Sequence, residues 1–310
     1  MKQPKKKYPK KSIRTRITRN WELYLFLLPA VLLIFCFNYL PMYGVQIAFK
    51  NFRPAKGIWG SEWVGLEHFF RFFRSYQFGN LIKNTLILSL YGLLAGFPLP
   101  ILFALLLNQM RFAKFKKVLQ TVTSLPNFIS TVVLVGMVSI FLSPSSGIYG
   151  AVCNLLGVKA GNPMGEPGLF RHIYVWSGVW QSTGWGSIIY LSALSAVDPS
   201  LYEAATIDGA NRLQKIRHID LPAIAPTCVI SLILSAGGIM GVGFEKVFLM
   251  QNDLNLSASE VISTYVYKVG IQSAQYSFSA AVGLFNTVIN FVILVIVNQA
   301  AKRLGDTSLW

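Results

Sequence analysis

Two runs of this 310-residue chain carry side chains suited to binding, and neither resembles a set that makes or breaks bonds. The first holds Trp176, Trp180, Gln181, Ser182, Thr183, Trp185 and Tyr190 within an otherwise apolar stretch. Indole faces cover the C–H patches of a polyhydroxylated ligand, a sugar above all, while amides and hydroxyls satisfy its OH groups. Trp176 and Trp180 are four apart, as are Gln181 and Trp185, so on a helix the two pairs occupy adjacent faces. Trp at a bilayer boundary is commonly an anchor, which accounts for Trp176 but not for Trp185, about halfway along. Gln181 and Trp185 are therefore candidates to line a path. The second run, GGIMGVGFEKVF, sets Gly237, Gly238, Gly241 and Gly243 before Phe244, Glu245, Lys246 and Phe248. Glycines allow close helix contact or distortion, and an ionisable group near a membrane helix end faces protein or water. Glu245 and Lys246 near that end would mark a pathway, with a Glu245–Lys246 ion pair at the interface as the equal alternative.

No catalytic constellation accompanies them. Cys36, Cys153 and Cys228 are too scattered for a disulfide framework or a metal or redox site, and His68, His172 and His218 are isolated. HExxH, GxSxG and Gly-rich phosphate loops are absent from the sequence. Such a chain is expected to bind no metal or cofactor and to draw any energy from elsewhere. The net charge of +16 raises nucleic-acid binding, but no zinc-finger, helix-turn-helix or aromatic RNA-binding pattern goes with it.

The elements that hold these residues are set by hydropathy. With 53% hydrophobic and 13% charged residues and a mean hydropathy of +0.50, the chain belongs in a bilayer. Crossing about 30 Å of hydrocarbon takes roughly 20 apolar residues as helix, because every backbone polar group must be satisfied without water. Six stretches qualify, at 23–40, 85–107, 118–142, 173–197, 223–243 and 278–300, whereas the short alternating strands of a β-barrel are not seen. The expectation is an all-α polytopic membrane protein: a basic tail over 1–22, then one transmembrane domain over 23–310. Nine Lys and Arg in the first twenty positions, from Lys2 to Arg19, put the N-terminus in the cytoplasm. Six spans then place Arg111, Lys114, Lys116, Lys117, Arg212, Lys215, Arg217, Lys302 and Arg303 inside as well, with the C-terminus. The cations of the outer segment 41–84 oppose this topology without outweighing it. The first apolar stretch ends in PMYG rather than a small-residue cleavage site, and reads as a retained helix. Pro98, Pro100 and Pro126 should kink or break the second and third spans. The outer loop 143–171 reads as irregular, and Asn286 and Asn290 on the sixth span as facing a partner.

Between the fourth and fifth spans lies the polar segment 198–222. Asp198-Pro199 supplies a helix start, and Ser200-x-x-Glu203 is an overlapping capping box. Ala204 and Ala205 keep that helix narrow enough for another protein to approach. Gly209 can take the left-handed conformation that ends it. A second short helix over 210–218 should follow, stopped by Pro222, which starts the fifth span.

From Glu203 the segment reads E-A-A, three residues, Gly209, nine residues, then Ile219-x-Leu221-Pro222. This spacing resembles the signature loop of binding-protein-dependent ABC importer permeases. NYLPMYGVQIAFKNF, SLPNFIS, DPSLYEAATIDGA and VINFVILVIVNQAAKRL resemble in particular the maltose-type permeases of carbohydrate importers, in the branch for complex or acidic oligosaccharides such as alginate or pectin fragments. The resemblance implies a type I ABC importer permease fold in a bacterial cytoplasmic membrane. It also implies a second, homologous permease as the other half of the pore, two ATPase subunits that hold ATP and Mg²⁺, and an extracellular solute-binding protein. Glu203, Ala204, Ala205, Asp208, Gly209, Ala210, Ile219, Leu221 and Pro222 would then form the helix that docks on the ATPase, and the segment with Phe244, Glu245 and Phe248 would contribute to the transmembrane sugar path. Lys83, Arg171 and Lys268 near the outer mouth suit an acidic oligosaccharide and equally an ordinary surface. The rival reading is an ion-gradient-driven secondary carrier, for which Glu245 is the only plausible intramembrane carboxylate. That reading leaves the loop unexplained.

Overall fold

The computed structural model describes residues 20–304, so the basic tail from Lys2 to Arg19 lies outside the described residues. Helix α1, Trp21–Ile34, opens an apolar span that continues through a widened π turn to Phe49. None of its side chains is buried within the chain. A two-residue hairpin follows, β1 (Lys50–Asn51) antiparallel to β2 (Glu62–Trp63), with Lys50 opposite Trp63. Helix α2 (Glu67–Phe73) packs Phe72 among Phe78, Phe278 and Phe285.

Helices α3 (Phe78–Gly96) and α4 (Pro98–Asn108) run as one 31-residue span. Pro98 and Pro100 fall in the first turn of α4, where missing N–H donors cost little, so the interruption is confined to Phe97. The third span is not one helix. Ala113–Phe128, which contains α5 (Ala113–Ser124), meets α6 (Thr131–Phe141) at 98°. Pro126 sits in the 3₁₀ turn before the bend, and Ser130 restarts the chain by capping α6, its Oγ accepting from Val133 N. Of the kink or break expected at Pro126, the structure shows a full break. The loop 143–171 is also more regular than expected, with helix α7 at Ile148–Leu155.

Helix α8 (Pro167–Ser195) has 29 residues, or about 43 Å at 1.5 Å per residue. Four of the described helices are long and apolar enough to cross a bilayer, five with the bent pair, and α8 is not among them on hydropathy. Its position explains its polarity. It packs against α3, α4, α5, α11 (Leu221–Gly237), α12 (Phe244–Met250) and α13 (Leu256–Ser259), so most of its surface meets protein rather than lipid. Three buried clusters fasten the bundle. One joins α4 and α8 to Ile224 of α11; another joins α3 and α8 to α12 through Leu88, Phe170 and Val247. The third seats α14 (Ile262–Tyr267) on α15 (Tyr276–Leu304) through Ile262, Phe278 and Val282.

Candidate functional site

The segment 198–222 is a rigid hairpin. Asp198 caps α9 (Pro199–Ile207), its carboxylate accepting from Ser200 N at 2.9 Å with Pro199 in the first turn. That bond to the Ser200 backbone holds the Asp198 carboxyl below its ordinary range. Ser200 therefore lies inside the helix rather than capping it. At the other end Gly209 has φ +75°. Gly209 N donates to Thr206 O at 3.1 Å and Ala210 N to Ala205 O at 2.8 Å, the paired 5→2 and 6→1 bonds of a Schellman termination with Asp208 at its C-cap. Asn211 and Gln214 then form a reciprocal capping box that starts α10 (Arg212–Lys215), a signal absent from the sequence reading. Lys215 Nζ donates to Thr206 Oγ1 at 2.7 Å and ties the two helices together. Glu203 and Ala204 are exposed, as are Leu201, Ile207, Asp208 and Leu213, so an apolar knob that carries the carboxylates of Glu203 and Asp208 faces outward.

The expected second helix over 210–218 does not end at Pro222. The chain passes from α10 through a π turn, Ile216–Asp220, directly into α11, giving a continuous 26-residue span, Arg212–Gly237. Leu221 N reaches back five residues to Ile216 O. This wider turn accommodates a proline whose ring cannot follow an ordinary i−4 ladder. Ile219 is half-buried, and Leu221 and Pro222 are exposed.

Asp220, between Ile219 and Leu221, is completely buried. Its Oδ1 accepts from Tyr202 Oη at 2.5 Å and Asn108 Nδ2 at 3.2 Å, and its Oδ2 accepts from Gln109 Nε2 at 2.7 Å. Burial, then the bond to Asp220, pushes the Tyr202 phenol up to about 12, so it remains a donor. Sequence reasoning missed this cluster. The available signal was an acid set within the apolar run ID-LPAI.

The path candidates fall in two places. Gln181 Nε2 donates to Ile129 O at 2.8 Å, and Trp185 meets Phe128 edge-to-face at 5.5 Å. Both thus brace the break in the third span, where a backbone carbonyl freed from helix needs a donor. Gly184 lies between them, and a Cβ there would stand 2.1 Å from Thr123 O. Phe244 and Phe248 stack at 5.3 Å, and each contacts the Tyr267 ring. Glu245 is exposed, whereas Lys246 turns inward, its Nζ donating to Tyr174 O at 2.8 Å and lying 4.8 Å from that ring. The alternative Glu245–Lys246 ion pair does not form; the salt bridge among the described residues is Lys268–Glu260 at 3.0 Å. Arg171 is likewise engaged, donating to Asn84 Oδ1 at 3.0 Å, which leaves Lys83 as the exposed cation of the outer three. Asn290 faces its own chain instead of a partner, its Oδ1 accepting from Met240 N at 2.8 Å and closing the backbone where α11 unravels. None of the five path candidates lines either of two adjoining cavities, although Tyr174, the partner of Lys246, lines one of them. A cavity of about 230 Å³ lies among Ser89, Gly92, Tyr174, Ser235, Gly238 and Gly243, and a second of about 230 Å³ adjoins it through Gly92 and Ser235. The sequence reading singled out Gly238, Gly241 and Gly243 of this furrow, but neither Gly92 nor its serines.

The family described as "Binding-protein-dependent transport system inner membrane component" matches residues 96–306, from the last residue of α3 to beyond α15. The chain belongs to this family. It is therefore a permease subunit of an ABC importer, a transport component rather than an enzyme, that works with a solute-binding protein. The permease is 41% identical over 98% of its length, and 95% of the relative's, to the polygalacturonan/rhamnogalacturonan transport system permease protein YteP of Bacillus subtilis. It is 29% identical over 91% of its length, and 88% of the relative's, to the arabinooligosaccharides transport system permease protein AraP of the same organism. Its fold matches a chain of the crystal structure of a bacterial ABC transporter involved in the import of the acidic polysaccharide alginate, with TM-score 0.86, 41% identity, 94% of this chain and 98% of that one. A related alginate transporter structure, in complex with an alginate pentasaccharide-bound periplasmic protein, gives TM-score 0.87 at 40% identity over 96% and 99% of the two chains. The permease therefore has the all-α, type I importer architecture.

Proposed function

We propose that this permease, seated in a bacterial cytoplasmic membrane, forms half of the pathway for an acidic oligosaccharide and is driven through the hairpin 198–222 by a separate ATPase. The other half is a second, homologous permease. Its relatives carry polygalacturonan, rhamnogalacturonan and alginate in their names, which supports a uronate-containing substrate delivered by an extracellular binding protein. One observation carries the docking reading: an exposed hairpin capped at both ends, whose apolar crown of Leu201, Ile207 and Leu213 has no cover among the described residues. Glu203 pairs with a basic group in the ATPase cleft, Ala204 and Ala205 allow close approach, and Asp208, Gly209 and Ala210 form the turn. Ile219, Leu221 and Pro222 continue the loop into the fifth span.

ATP and Mg²⁺ sit on the ATPase, and this chain does no covalent chemistry. Closure of the paired ATPases draws the hairpin with it, α8 and α11 tilt, and the cavity opens to the docked binding protein; hydrolysis restores the inward state. Gln181 and Trp185 support the path at the bend of the third span, and Phe244, Glu245 and Phe248 line it near the outer end of the fifth. The test is Glu203→Lys in the assembled importer. Uptake of oligogalacturonate should collapse and ATPase co-purification should weaken, with permease abundance in the membrane unchanged; normal uptake with a full ATPase complement refutes docking through this loop.

A further inference from the structure

Three separate pieces of the permease meet at one buried carboxylate. Asp220 closes the π turn that begins the fifth span, Tyr202 stands on α9 immediately before Glu203, and Asn108 and Gln109 end the second span. Tyr202 Oη and Asn108 Nδ2 share Asp220 Oδ1, and Asn108 Nδ2 also reaches Tyr202 Oη at 3.3 Å, while Gln109 Nε2 takes Oδ2. Asp220 is fully buried, and among the described residues no cation pairs with it. Three neutral donors alone compensate its charge, beside the C-terminus of α4, where the helix dipole is unfavourable to an anion. Removing any donor leaves part of a buried charge unsatisfied, so the three pieces are strongly held in one arrangement. Ile224, one turn beyond, is packed against α4 and α8 in the adjoining cluster and stiffens the same corner.

We propose that the Tyr202–Asp220–Asn108/Gln109 cluster is the joint that makes the docking helix, the start of the fifth span and the end of the second span move as one body. Asp220 and Tyr202 are positioning residues: they act by holding the three pieces together, and set how much transport each hydrolysis event yields. The inference rests on the docking reading above, because the joint has a load to transmit only if α9 receives one.

The experiment uses the complete importer, with both permeases, the ATPases and the binding protein, in proteoliposomes, and measures oligosaccharide delivered per ATP hydrolysed. Tyr202→Phe removes one donor to a charged acceptor without altering the exposed crown. It should keep ATPase content at the wild-type level and lower the transport-to-hydrolysis ratio about tenfold, given that a charged hydrogen bond contributes roughly 1.5 kcal/mol or more. Asp220→Asn turns one donor against another and should lower the ratio further. Asp220→Asn with Asn108→Asp moves the carboxylate to the facing position, where the amide introduced on the π turn can donate to it, and should restore the ratio towards wild type. A wild-type ratio in Tyr202→Phe, or failure of the exchange to improve on Asp220→Asn, overturns the joint. Failure of the docking reading shows separately, as an unchanged ATPase content in Glu203→Lys.

Discussion

Gly209→Ala isolates the geometry of the hairpin from its chemistry. The residue has φ +75°, and nothing lies within 4 Å of the Cβ that Ala would add, so the substitution meets no steric neighbour. Its whole cost is that of holding an L-residue in the left-handed region, about 1–2 kcal/mol. The Gly209 and Ala210 N–H bonds to Thr206 and Ala205 both depend on that conformation, so the strain falls on the termination of α9 itself. A cost of that size corresponds to a factor of about 5–30 in the population that keeps the hairpin. Uptake at limiting binding protein should fall within that range, while thermal stability of the solubilised permease changes little. Gly209→Asn is the control, since Asn tolerates the left-handed region, and should retain most uptake. Equal loss in the Ala and Asn variants would mean that space, not backbone conformation, is what position 209 supplies; no loss in either would remove the rigid hairpin from the mechanism.

Other consequences can be measured independently. Gly184→Ala places a Cβ 2.1 Å from the Thr123 carbonyl and must separate α8 from the end of α5, so a marked loss of folded permease is expected in a detergent melting assay; a wild-type melt refutes the close approach. Gln181→Leu leaves the Ile129 carbonyl without its donor at the break of the third span and should destabilise by about 1–3 kcal/mol, read as a lowered melting midpoint. Tyr202 gives a pH signature. Its folded value is raised from 10.0 to about 12, so its contribution is complete below pH 10 and is lost as pH rises towards 12. Proteolysis of the hairpin should therefore accelerate in that window in wild type, and a Tyr202→Phe variant should show no such step. Asp198 behaves oppositely: its depressed value stabilises α9 above the ordinary carboxylate range and the benefit disappears in acid, so Asp198→Ala should flatten the acid limb of the same profile.

What the chain's order of residues settled is local. Apolar runs of bilayer length, Asp198-Pro199 at a helix start, and Gly209 at a helix end each act through neighbours within a turn or two, so hydropathy and capping chemistry made them legible. The loop's spacing announced the family for the same reason. The fate of each polar residue inside the bundle depended on partners far away in the chain. Asp220 reads as one more acid in a charged loop until Asn108, 112 positions earlier, comes to lie against it. Asn290 could have faced another subunit, yet the unravelled end of α11, 50 residues before it, offers an N–H that needs an acceptor. Pro126 announced a kink or a break, but it is Gln181, from another helix, that satisfies the carbonyl exposed at the 98° break. Pro222 looked like a stop, and only a π turn reaching back to Ile216 allows the helix to run through it. Secondary structure and topology follow from short-range propensity and solvent preference; which buried polar groups satisfy one another is decided when the helices pack, because inside a bilayer no water can do it for them.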